Sequence, residues 1–310
     1  MLLSIVIATR HREVVLWESI EKARFVIKNN PNIEIIVVND GDSDLTIPNS
    51  LAHGLIVINN PNHSVAKARN LGVKDSKGKI LLFLDDDMWL TQDGLEWILN
   101  NADKIEVERA VYNLNWEYPQ TLINNLIETK VGQYILTANY HTLWGRMHQS
   151  EPPPTSGYKK VAGIGSGSLV LTKKIFDEVN GYNEMLTFQG EDSDLSNKLN
   201  THGISIYACF DVLLWHNHRD RTNLQGYLDR EFSGFRSEVN GIKNGALPNT
   251  SFNYSYMKCF LLNIFSFFEP FLLFMVNKTP NGFTAINNKL IGLLCAIQTI
   301  KAYKHFFDEK

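Results

Sequence analysis

The chain is poor in cysteine. Cys209, Cys259 and Cys295 form an odd, widely spaced set, so neither a disulfide framework nor a zinc-ligand spacing follows. A reducing, cytoplasmic setting is the simpler expectation. Charge of one sign is also lacking: the net is −3 with 20% charged residues, which excludes the strongly basic balance of a nucleic-acid binder. No uninterrupted apolar run is long enough for a membrane span. The best candidate, residues 259–276, is broken by Asn263, Ser266, Glu269 and Pro270, whereas a spanning helix needs roughly 20 predominantly apolar residues. The start does not read as a secretion leader, because Arg10, His11 and Arg12 follow the first apolar run instead of preceding it.

What is present is a chain of 310 residues, 44% hydrophobic, enough for one large or two small domains with a sizeable core. Its most informative stretch is residues 80–87, Ile-Leu-Leu-Phe-Leu-Asp-Asp-Asp. The apolar run reads as a strand buried on both faces. Three carboxylates at its end repel one another and lose hydration, so they need compensation. A divalent cation with hard oxygen ligands, Mg²⁺ or Mn²⁺, is the natural partner. A solvated turn is the plainer alternative.

Apolar runs alternate with helical patterns through the first half. Residues 2–8, 33–38, 55–58 and 79–84 read as strands. Leu16, Ile20, Ala23 and Ile27 mark a helix, as do Val65, Ala68 and Leu71 after the cap Ser64, with Gly72 or Gly78 near its end. This alternation predicts an α/β fold with a mainly parallel sheet, whose ligands bind at the carboxyl ends of strands. Asp40 and Asp85–Asp87 sit at such ends. Residues 145–160, with Pro152-Pro153-Pro154, read as a mobile loop. Gly163, Gly165 and Gly167 precede a strand at 169–171 and suit either close backbone approach to a ligand or an ordinary turn. Glu191, Asp192 and Asp194 crowd the first turn of a helix ending near Gly203, more acids than capping needs.

The tail changes character after about residue 222. Leu224 to Ile242 carries an amphipathic stripe, and 259–276 is mostly Phe, Leu, Ile, Met and Val. Residues 241–310 hold seven Lys and three Asp or Glu, which suits an anionic membrane surface. A helical subdomain or homo-oligomer contact that buries the aromatics internally is the competing reading.

Five motifs follow in order: Ser4–Thr9; Val37-Val38-Asn39-Asp40-Gly41; Ala68-Arg69-Asn70-Leu71-Gly72; Phe83-Leu84-Asp85-Asp86-Asp87; and Gly190-Glu191-Asp192-Ser193-Asp194-Leu195. Across roughly residues 1–220 the chain resembles a family 2 glycosyltransferase of the GT-A fold. The resemblance implies a GT-A domain over 1–222, a helical C-terminal region over 223–310, and transfer of one sugar, with inversion, from a nucleoside-diphosphate donor to a hydroxyl of a glycan or lipid-linked acceptor. It places Thr9, Asp40, Arg69, Asp85, Asp86 and Gly165 around the nucleotide sugar, with Asp40 on the uracil ring. Asp85 and Asp87 fall on the Asp-x-Asp motif. Asp87 would ligate Mn²⁺ or Mg²⁺, with Asp85 on the ribose or a metal-bound water. His216 would complete the metal site, with His218 as rival. Asp192 matches the general base, and Glu191 binds acceptor or orients that base. Arg69 supports the nucleotide pocket or pairs with the acids.

The chain departs from the family at Asn39, where a second acid is common, and at His63 and Ser64, where glycines are common. The Gln-x-x-Arg-Trp motif of processive synthases is missing, so one sugar per encounter is expected. A nucleotidyltransferase would carry a glycine-rich basic loop where Ala8-Thr9-Arg10-His11-Arg12-Glu13 stands. A non-catalytic sugar-binding scaffold would not need both the acid triplet and Asp192. The motifs do not distinguish a retaining transferase on the same fold. The implied setting is bacterial surface polysaccharide or lipid-linked glycan assembly, in the cytoplasm or at the inner face of the cell membrane.

Overall fold

A computed structural model describes residues 2–147, 151–186, 189–219, 223–245, 247 and 255–307. They build one nine-stranded sheet from β1 (Leu3–Thr9), β2 (Ile33–Asn39), β3 (Leu55–Asn59), β4 (Ile80–Leu84), β5 (Met88–Trp89), β6 (Ala110–Glu117), β7 (Tyr158–Lys160), β8 (Ser168–Thr172) and β9 (Ser205–His216). The path is β3-β2-β1-β4-β8-β6-β9-β5, with β7 beside β9. β3, β2, β1 and β4 are parallel, as the strand–helix alternation predicts. β8 then runs antiparallel to both β4 and β6. β1, β2, β4 and β8 are almost entirely buried, because helices cover both faces.

The helix Val65–Asp75 begins at Ser64, whose Oγ accepts from the Lys67 N–H. It runs past Gly72. A Cβ there would lie 2.5 Å from Val6 Cγ1, so this glycine serves close packing against β1 and does not end the helix. Residues 145–160 also depart from a simple loop. Leu143–Met147 is helical and Tyr158–Lys160 pairs antiparallel with β9, where edge backbone groups find partners. Residues 148–150 lie outside the described set.

Four helices complete the chain: Leu224–Lys243, Tyr256–Phe267, Glu269–Lys278 and Thr284–Phe307. Leu224–Lys243 and Thr284–Phe307 pack on each other and on the helix Lys130–Thr137, and the two shorter helices pack on Thr284–Phe307. Lys130 Nζ donates to the carbonyls of Val276 and Asn277, and Thr284 donates to Gln133. One large hydrophobic cluster includes residues from Leu3 to Ile300, and Ile36, Val38 and Ala68 form a second, smaller one. Among the described residues no single helix is long and apolar enough to cross a membrane.

Candidate functional site

The acid triplet follows β4 at the carboxyl edge of the sheet, and its partners come from the neighbouring strand ends. Thr9, the last residue of β1, donates to Asp86 Oδ2 at 2.7 Å. Arg12, just beyond, donates to Asp86 and to Asp87 Oδ2, the latter at 2.7 Å. Asp86 and Asp87 are 5% and 2% exposed. Two carboxylates so buried need such compensation.

Register brings the histidines in. β5 pairs with β9 so that Met88 lies opposite His216. The Asn217 N–H donates to the Asp87 carbonyl, and His216 Nε2 lies 3.1 Å from Asp87 Oδ1. His216 stacks on His218 with ring centroids 4.9 Å apart. One ligand atom each of Asp87, His216 and His218 lies within 4.8 Å of the others, and all three residues are buried. Asp85 lies outside this trio and faces Arg69.

The protonation states suit a cation. Burial holds His218 well below the ordinary imidazole range. Its Nε2 is bonded to Arg230, which can only donate, so the proton sits on Nδ1 and points at the Tyr118 hydroxyl. Burial would raise the Asp87 carboxyl, but His216, His218 and Arg12 outweigh it and hold the group well below its usual range. His216 Nδ1 is buried without a hydrogen-bond partner. A carboxylate and an imidazole with one unsatisfied ring nitrogen fit a borderline divalent ion such as Mn²⁺ better than Mg²⁺, which favours oxygen ligands.

Arg69 joins two motifs that are far apart in sequence. It donates to Asp85 at 3.1 Å and to Glu191 at 3.0 Å, and its guanidinium lies over the Tyr182 ring. The helix Glu191–Thr201 starts at Gly190 without a side-chain cap. Asp192 accepts from the Ser166 N–H at 3.1 Å and from the Ser166 hydroxyl, which is also bonded to Tyr182. Burial raises both carboxyls. Glu191 is pushed up to about 7 by burial and then by the charge of Asp192, and Asp192 shifts in the same direction. Asp194 instead pairs with Lys198 at 3.0 Å.

The glycine cluster lies between these groups. The Gly165 N–H donates to Asn113 Oδ1 at 2.7 Å, and no atom stands within 4 Å of where its Cβ would be. A Cβ on Gly167 would meet Asp85 Oδ2 at 2.7 Å, so this position admits no side chain unless Asp85 moves. At the end of β2, Asp40 is buried and accepts from the Ser64 N–H at 2.8 Å and from Asn60 at 2.5 Å, both on Oδ1. Its pKa is raised by burial. Asn39 is structural: it bonds Ser43, Asn59 and the Gly41 N–H.

Most of the charged groups of the site line one cavity of about 1200 Å³. Thr9, Asp40, Arg69, Asp85, Asp86, Asp87, Gly165, Glu191, Asp192 and His216 are all on its wall. Tyr134, Tyr140, Arg146, Tyr227 and Arg230 close the far side. Sequence reading overlooks Arg12 and Ser166. Arg12 follows a strand end in a short basic run, and that position is a usable signal. Ser166 lies in a turn-like glycine cluster and gives none. Arg146 and Arg230 belong to segments without a motif.

Residues 4–169 match the model of glycosyl transferase family 2, more than half of the chain, and the chain belongs to that family. It is 32% identical over 122 residues to E. coli WfaP, named a UDP-Glc:alpha-D-GlcNAc-diphosphoundecaprenol beta-1,3-glucosyltransferase, covering 38% of this chain and 46% of that protein. It is 28% identical over 123 residues to the Bacillus subtilis protein EpsH, a putative glycosyltransferase by name, covering 38% and 35%. The aligned stretch thus spans less than half of these relatives. Solved structures of similar fold include S. aureus TarS 1–349 with UDP, at TM-score 0.51 and 11% identity over 100% of this chain and 92% of that one. The Pyrobaculum calidifontis mannosyltransferase PcManGT, with GDP-Man and Mn²⁺, has TM-score 0.52 and 12% identity over 99% and 75%. The fold is therefore GT-A, a mixed α/β sheet with a helical C-terminal region.

Proposed function

We propose that the protein transfers one sugar, with inversion, from a nucleoside-diphosphate sugar to a hydroxyl of a glycan or lipid-linked acceptor. Residues 1–222 would hold donor and catalytic groups, and 223–310 would close the acceptor side. The observation that carries this reading is that Asp192 and Asp87 line one cavity. Asp192 is a buried carboxylate with a raised pKa, clamped by Ser166. Such a group takes a proton from an acceptor hydroxyl as that oxygen attacks the anomeric carbon. Glu191, tied to Arg69, orients the base and is placed to meet the acceptor. Arg69 holds Asp85 in position toward the donor.

Asp40 directs its second oxygen, Oδ2, to the base of the nucleotide, while Oδ1 is spent on Ser64 and Asn60. Thr9 and Asp86 brace the donor floor, and Gly165 lets the donor approach the backbone. Asp87 and His216 would hold a divalent cation, Mn²⁺ by the nitrogen donor. His216 is preferred to His218 because both His218 nitrogens are already bonded. When bound, that ion neutralises the departing nucleoside diphosphate. A UDP-linked donor and a diphosphate lipid acceptor are supported by the names of TarS with UDP and of WfaP. This reading sets the enzyme in the cytoplasm, at the inner face of the cell membrane.

A thermal-shift screen of nucleotide sugars tests the reading. A nucleotide sugar should raise the melting temperature in Mn²⁺ and fail to do so in EDTA. Shifts of equal size in EDTA would remove the cation from the account, and no shift with any nucleotide sugar would remove the donor site.

A further inference from the structure

Eleven of the seventeen large apolar side chains exposed among the described residues fall between Met257 and Ile286. They include Phe267 at 80%, Met257 at 63% and Phe271 at 57% exposure. A soluble surface rarely gathers so much apolar area in one place. The helices Tyr256–Phe267 and Glu269–Lys278 present most of it and meet at a 72° bend. The pair is anchored to the fold. Leu262, Leu272 and Val276 are buried, and Lys130 ties the carbonyls of Val276 and Asn277. Glu269 bonds Gln298 and Lys301. The exposed Phe face is therefore a fixed feature of the folded chain.

We infer that this bent helix pair is the face by which the protein lies on an anionic lipid surface. Three observations select lipid as the occupant. First, the charge is one-sided: residues 256–307 hold five lysines and one acid, Glu269, and that acid is already bonded within the fold. Second, the lysines stand beside the aromatics. Lys278 Nζ lies 5.8 Å from the Phe274 ring centroid and Lys304 Nζ 5.9 Å from that of Phe267. An amine at that distance reaches a headgroup phosphate while its ring enters the interface. Third, the shape suits lying rather than crossing. At 1.5 Å per residue the helices are roughly 18 and 15 Å long, about half the ~30 Å hydrocarbon core. A two-fold dimer on the same face would bring a second copy of the same net-positive patch against it. A phosphate surface meets that patch with opposite charge.

The inference does not rest on the cavity's function and is tested without it. The full chain is floated with vesicles of phosphatidylcholine, with and without phosphatidylglycerol, at low and high salt. Phosphatidylglycerol should bring the protein up with the vesicles, and salt should release it. Phe267→Asp with Phe271→Asp should abolish flotation without changing the melting temperature, since both side chains are exposed. Lys278→Glu with Lys304→Glu should weaken partitioning at least thirtyfold, at about 1 kcal/mol lost per lysine. Binding that ignores phosphatidylglycerol would overturn the electrostatic part. No flotation, with the wild type sedimenting as a dimer and the Phe267→Asp, Phe271→Asp variant as a monomer, would overturn the inference in favour of self-association.

Discussion

Replacing Arg12 by glutamine removes the guanidinium that donates to both Asp86 and Asp87, in a place where Arg12 is 9% and the two acids 6% and 2% exposed at the side chain. Hydrogen bonds to charged groups are worth about 1.5–3 kcal/mol each, and taking one partner from a buried ion pair costs about 3–5 kcal/mol. Two such bonds give about 3–6 kcal/mol, so the two routes overlap at about 3–5 kcal/mol. At about 2 °C per kcal/mol, the low end for long chains, Arg12→Gln should lower the melting temperature in EDTA by about 6–10 °C. If Asp87 and His216 hold the cation, Mn²⁺ then supplies the missing positive charge. It should recover much of the loss and stabilise the variant more than the wild type. The variant should also bind Mn²⁺ more tightly, about tenfold for the release of one bond of about 1.4 kcal/mol. Scanning fluorimetry and titration calorimetry read both quantities. An unchanged melting temperature in EDTA, or the same Mn²⁺ stabilisation in both proteins, would refute the reasoning.

Ser166→Ala removes the hydroxyl bond to Asp192 but keeps the backbone one. Turnover should fall about tenfold or more for one charge-assisted bond, with donor affinity unchanged by calorimetry. The activity profile should carry an acid limb above the ordinary carboxylate range, because Asp192 must be ionised to act as base and burial raises its carboxyl. Turnover drops as pH falls through that region, and Glu191→Gln, which removes a like charge, should move the limb to lower pH. Stability follows the opposite sign. Glu191 is raised above its unfolded value, so its ionisation in the fold is the costly step, and the denaturant midpoint should decline as pH rises from about 4.5 towards 7.

Much of this site is legible in sequence because its parts are local. The run Ile80–Leu84 announces a doubly buried strand, and the acids after it lie where such sheets bind ligands. Ser64 announces a cap, and the structure uses it as one. What sequence hides is the pairing across distance. Arg12 meets Asp87 across 75 positions and Arg69 meets Glu191 across 122, and no spacing rule links such residues. The reversed direction of β8 is hidden for the same reason, since an apolar run such as Ser168–Thr172 reads the same in either orientation. Gly72 resembles a helix stop until β1 is seen packed against it. The tail could be read either as buried or as interfacial. Only the fold shows Phe267 and Phe271 facing outward.

The role proposed for Asp192 is to take the acceptor proton during an inverting transfer. Asp192→Asn keeps the shape and the Ser166 contact but cannot accept that proton. With the donor found by thermal shift, the variant should bind the nucleotide sugar as the wild type does while turnover falls about 10²–10⁴-fold, and the wild-type product should show inverted anomeric configuration by NMR. Near-normal turnover in Asp192→Asn, or a product with retained configuration, would contradict it.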